Sequence, residues 1–164
     1  MAETRKRTMK RSQRPNQAVQ SNVYYVAEIV KWSWGASFGL WEEPGKVGKS
    51  YHGIRHLKLC GRFVQPSQLS ETEVQFTFVP DERLNRENQA LAQLSSIGRL
   101  SLRAEAIGLV SIPADVLPCL LTMLCANQFK FLVLRGTPPR NHQVNLHFLS
   151  FEMQINSEDF ADTN

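Results

Sequence analysis

Hydrophobic positions along much of this chain recur at every second residue, the spacing of strands that turn one face to a core. The first run is denser. "NVYYVAEIVKWSW" (Asn22–Trp34) strings β-branched and aromatic residues together, which predicts a strand buried on much of both faces. Gly35 and Gly39 punctuate the next stretch, "GASFGLW", read as a second strand or a bulged return. From Leu57 the alternation is clean. Leu57, Leu59 and Phe63 share one face and His56, Lys58 and Arg62 the other, while Val74, Phe76 and Phe78 alternate with Glu73, Gln75 and Thr77. These two segments read as antiparallel partners with one solvated face.

The period then changes. "DERLNRENQALAQLSSIG" (Asp81–Gly98) reads as a surface helix, with Asp81 as N-cap, Gly98 at its end and a thin stripe of Leu84, Leu91 and Leu94. Leu100, Leu102, Ala104 and Ala106 alternate as a further strand. A second helix starts at Asp115 as N-cap and holds Pro118 in its first turn, where the missing N–H costs nothing. Val116, Leu117, Leu120, Leu121, Met123 and Leu124 surround it almost completely, so it is expected to be deeply buried. Asn127 suits a left-handed end. "FKFLVL" is an interior strand, "RGTPPRNHQ" a turn, and Val144–Ile155 a last long strand. Its apolar parity switches between Phe148 and Leu149, which predicts a β-bulge there.

Together these elements predict an α+β fold: a curved, mainly antiparallel sheet of about six or seven strands packed on one buried helix, with a second helix on the surface. The 164 residues suit one domain with a core of its own. The expected division is a disordered basic arm over residues 1–20, a single α+β body over 21–156 and an acidic flexible tail over 157–164. No apolar run reaches the length of a membrane-spanning helix, and the N-terminus lacks the apolar segment of a secretory signal. A cytoplasmic protein is expected, nuclear if the source is eukaryotic. Cys60, Cys119 and Cys125 make an odd count without a CxxC pair. They are read as reduced, and the last two as small core residues.

Charge divides the chain unevenly. Arg5, Lys6, Arg7, Lys10, Arg11 and Arg14 face Glu3 alone within residues 1–20, a net +5, whereas the remaining 13 basic and 14 acidic residues leave −1. A short flexible run of cations with almost no apolar residues neutralises phosphates well and cannot fold alone. The arm is therefore expected to contact nucleic acid.

Other motifs carry less chemistry. "EEPGKVGKSYHG" (Glu42–Gly53) ends like a phosphate-binding P-loop, but Glu43 stands where the first glycine belongs, and a strand pattern follows in place of a helix. It reads as a polar connection between strands in which Lys46 and Lys49 are anion contacts at most. His52, His56 and Cys60 are spaced four apart. On a strand that separates neighbours by roughly 13 Å, so no metal site is expected there, and His142 and His147 read as surface or turn residues. Glu42/Glu43, Glu71/Glu73 and Asp81/Glu82 fall in expected loops or at a helix start, where solvation or capping explains them. Trp32, Trp34, Phe38, Trp41 and Tyr51 accompany Lys31, Lys46, Lys49 and Arg55. That mixture can stack bases, but most of these aromatics are read as core.

The functional expectation is a non-enzymatic adaptor. Its basic arm contacts nucleic acid without sequence specificity, and its body docks on a protein partner or a second copy, with no cofactor and no membrane. The alternative is a small-molecule-binding domain or enzyme with a pocket between sheet and helix, using His52, His56, Glu42 or Glu43.

Overall fold

The structure, a computed structural model, is described for residues 22–42, 45, 47–85 and 94–156. Seven strands form a closed barrel: β1 (Val23–Glu42), β2 (Lys49–Gln65), β3 (Glu73–Asp81), β4 (Gly98–Leu102), β5 (Ala106–Pro113), β6 (Phe131–Gly136) and β7 (Gln143–Glu152). The order around it is β1-β2-β3-β5-β4-β7-β6. All pairings are antiparallel except β3 with β5. The sheet is thus mainly antiparallel, as the residue pattern suggested, with one parallel pair, and it closes into a barrel where the pattern suggested only curvature. The closing pair β1–β6 joins segments far apart in sequence, and no local pattern announces it.

The alternating residues fill the interior as expected. Leu57, Leu59, Phe63, Val74, Phe76 and Phe78 are buried with Leu100, Val110, Leu134, Val144 and Leu146. Leu57 pairs with Phe78 and Leu59 with Phe76 across the β2–β3 ladder. Tyr25, Val26 and Ala27 are all buried, but Glu28, Val30, Lys31, Ser33 and Trp34 are exposed, so the double coverage expected over Asn22–Trp34 holds only at 25–27. One inward position, Gly108, has to be glycine, because a Cβ there would run into the Phe76 ring.

Helix α1 (Leu117–Cys125) links the end of β5 to the start of β6. Its Leu117, Leu120 and Leu124 join the barrel core, so it plugs one end. It is less buried than its composition suggested: Pro118, Cys119, Thr122 and Cys125 are exposed. Cys119 and Cys125 are consequently surface thiols and Cys60 is half-buried, all three unpaired. Pro118 sits at the start of the helix as expected, and Asn127 takes φ 54° just beyond it.

Three other expectations change. The segment around "GASFGLW" makes no return, since β1 runs straight through to Glu42. The stretch expected as one strand from Leu100 to Ala106 is a hairpin turning at Arg103–Glu105, with β4 before it and β5 after. Of the helix expected over Asp81–Gly98, residues 86–93 lie outside the described residues. Asp81 ends β3, Glu82–Leu84 forms a single 3-10 turn and Gly98 opens β4. Asp81 caps that turn, accepting from the Arg83 amide. The bulge in β7 exists but lies slightly earlier, where Arg135 pairs with Phe148 and Gly136 with Leu146, so that His147 is skipped.

Candidate functional site

β1 and β2 are longer than the barrel uses. The β1–β6 ladder ends at Glu28↔Phe131, and the β2–β3 ladder begins at Leu57↔Phe78. Beyond those points Gly35–Glu42 and Lys49–His56 pair with each other, down to Glu42↔Lys49. This two-stranded ribbon projects from the barrel end that α1 plugs, and its β1 arm extends roughly 27 Å. Gly45 and Gly48, at φ 83° and 101°, turn the chain at its tip in conformations that favour glycine.

The register fixes which side chains share a face. Trp32 and Trp34 lie opposite Leu59 and Leu57, so they continue the barrel's inner face, and Ala36, Phe38 and Leu40 extend it along the ribbon. Inside the barrel mouth Trp32 packs against the core. Further out the stripe is exposed: Trp34 is 36% exposed, Phe38 62% and Leu40 64%. The core role expected of these aromatics therefore holds for Trp32 and fails for Trp34 and Phe38. The Phe38 ring lies over Gly53, where an added Cβ would come within 2.9 Å of it. On the opposite face the His56 imidazole covers Gly35 in the same manner, 2.6 Å from where a Cβ would sit. The ribbon is thus amphipathic, with an apolar stripe on one face and Ser33, Gly35, Ser37, Lys58 and His56 on the other.

Charges gather at its base. The Arg55 guanidinium is 4.0 Å from the Glu82 carboxylate. Arg83 grips Asp81 through two side-chain hydrogen bonds, of 3.0 and 2.7 Å, and donates its backbone amide as well. The Arg83 guanidinium holds the Asp81 carboxyl below the usual carboxylate range. A cleft lined by Ile54, Arg55, Val79, Asp81 and Arg83 lies beside this cluster. A second groove, of about 490 Å³, crosses the outer wall at Lys31, Cys60, Arg62, Glu73 and Glu105. Its charges are of both signs. The space between α1 and the barrel, by contrast, is occupied by packed leucines.

Of the sequence-derived anion contacts, Lys49 is exposed at the ribbon tip. Lys46 and the arm residues Arg5, Lys6, Arg7, Lys10, Arg11 and Arg14 lie outside the described residues, as does Glu43. The side chains at 41 and 50–52, His52 among them, lie outside as well. His142 sits in a left-handed turn, and His147 is exposed at the β7 bulge. Among the described residues no three His, Cys, Asp or Glu side chains gather closely enough to hold a metal ion, and no helix is long and apolar enough to cross a membrane.

Known proteins add no identity to this geometry. Comparison with family models, curated proteins and solved structures found no match. The apolar ribbon was the feature sequence reasoning missed. Its signal is the i, i+2 series Trp32, Trp34, Ala36, Phe38, Leu40, which crosses Gly35 and Gly39 without a break in parity.

Proposed function

We propose that this chain is a non-enzymatic interaction protein. The ribbon docks on a protein through its apolar face, and the basic arm contacts nucleic acid without reading its sequence. One observation carries the docking half: Trp34, Phe38 and Leu40 stand in solvent on a ribbon whose parent barrel is already filled. Burial of such a stripe against a partner is favourable in proportion to the apolar area removed from water. The nucleic-acid half rests on charge, because the attraction for phosphate is concentrated in residues 1–20 while the rest of the chain is nearly neutral. Lys49 at the ribbon tip, with Lys46 in the connection before it, adds a second point of anion contact.

The test is purification of the full chain from its own cells, with and without nuclease. Two variants run alongside: Phe38→Lys with Leu40→Lys, and the full chain with all six arm cations changed to Gln. The ribbon variant is expected to lose its protein partner and keep nucleic acid; the Gln variant is expected to do the reverse. In solution, engagement of six duplex phosphates gives a slope of roughly −5 for log K against log salt. Salt-insensitive binding, or binding unchanged by the Gln substitutions, would sink the role of the arm.

A further inference from the structure

Along its projecting half β1 is also an open sheet edge. Its bonding to β6 ends with the Ile29 amide donating to the Lys130 carbonyl at 2.8 Å. From Lys31 to Glu42 it pairs with β2 alone among the described strands. Natural proteins blunt such edges with charge, proline, bulges or short length. Trp32–Trp41 has none of these devices: it holds no charged residue and no proline. Both irregularities of β1 precede it, at Val26/Ala27 and Ile29/Lys31. The other edge of the ribbon is guarded by contrast, with Lys49 at the tip and Arg55 reaching Glu82 at the base.

We propose that the β1 edge pairs with the same edge of a second copy of this chain, antiparallel, about a two-fold axis at Ser37. The inference rests on the ribbon being a docking element and names its occupant. A two-fold contact requires a sequence that complements itself, and this one does. Centred on Ser37, Ala36 lies opposite the partner's Phe38, Trp34 opposite the partner's Leu40, and Gly35 opposite the partner's Gly39. Directly opposed residues share a face, so the two β1 stripes merge into one apolar surface flanked by Arg55 of each β2, and each phenyl ring meets a methyl group. A slip of one residue sets the stripe against serines and glycines on the wrong face. Moving the axis back to Ala36 brings Glu42 opposite the partner's Val30, next to the last β6 contact at Ile29, whereas the Ser37 register leaves it opposite the partner's Trp32.

The experiment combines sedimentation with disulfide trapping on the full chain, in a Cys119→Ser, Cys125→Ser background that serves as the control. The parent chain is expected to reach twice its 18.7 kDa mass as concentration rises. Ser37→Cys is expected to form an intermolecular disulfide on oxidation, because Cβ atoms opposed at the axis lie about 5 Å apart. Leu40→Cys is expected not to, because the two positions fall about 20 Å apart. Ser37→Lys is expected to be monomeric, with thermal unfolding equal to the parent's at concentrations too low for pairing. A parent chain that stays monomeric at every concentration overturns the proposal, as does Leu40→Cys cross-linking as readily as Ser37→Cys. The docking reading stands or falls separately, on whether Phe38→Lys with Leu40→Lys loses its co-purifying protein.

Discussion

Phe78 on β3 of the barrel and Phe38 on the β1 arm of the ribbon are the same residue type, and truncating each to alanine separates the two environments. Phe78 is fully buried. Its ring meets Phe76 at 6.1 Å and Phe151 at 5.6 Å between centroids, and it pairs with Leu57 on one side and Val110 on the other. Phenylalanine-to-alanine changes in a core cost about 3–5 kcal/mol. Two ring contacts, each worth about 0.5–1.5 kcal/mol beyond burial, place Phe78→Ala near the top of that range, at about 4–5 kcal/mol. For a chain of this size that is a fall in Tm of roughly 10–15 °C. Phe38 keeps 62% of its surface in water, so Phe38→Ala forfeits little more than a third of a burial worth at most about 3 kcal/mol. The expectation is about 1 kcal/mol, or roughly 2–4 °C. The assay is thermal unfolding followed by circular dichroism, at protein concentrations low enough to keep the chain monomeric. Equal losses from the two substitutions would refute the reasoning, because the ribbon stripe would then be covered within a single chain.

Two further outcomes follow from the barrel. The Tyr25 hydroxyl donates to the Thr137 carbonyl at 3.2 Å, and burial pushes its pKa up from 10.0 to about 12. Between those values the unfolded chain loses the proton while the folded one keeps it, so Tyr25 contributes stability that is complete below pH 10 and lost as pH rises toward 12. Stability measured against pH is expected to fall less steeply over that window in Tyr25→Phe than in the parent. Gly61 faces the β1 irregularity, and a Cβ there would strike the Glu28 carbonyl. Because the obstacle is backbone, Gly61→Ala is expected to lower Tm by several degrees despite adding a single methyl group, whereas Gly45→Ser at the tip meets open space and leaves the barrel core untouched.

Alternation made the barrel's inner wall legible: Leu57, Leu59, Phe63, Val74, Phe76 and Phe78 were all assigned to the core from spacing alone. What spacing omits is partnership. The parallel β3–β5 pair and the β1–β6 closure depend on contacts between distant segments, so a closed barrel and an open curved sheet look alike along the chain. Ile107–Pro113 lacks alternation because exposed Ile107 and Leu109 stand between buried Gly108, Val110 and Ile112, yet Gly108 is what lets Phe76 pack. The ribbon was hidden for the opposite reason. Trp34, Phe38 and Leu40 have the pattern of core residues, and only the end of the neighbouring ladders leaves them outside. The basic arm was the reverse case, since its charge asymmetry needs no fold to be seen.

Closure of the barrel late in the sequence also has a consequence for synthesis. Tyr25 on β1 and Thr137 beside the end of β6 are 112 residues apart, so a ribosome adding about 5–20 residues each second exposes β1 for roughly 6–22 s before its neighbour emerges. Throughout that interval Val23–Glu28 lacks its β6 partner, beside other nascent chains of the same sequence when ribosomes share a message. An early β1–β2 hairpin would occupy one edge and leave the other free. Holdase chaperones that bind extended apolar segments are thus expected to matter more for the yield of this protein than for its stability once folded.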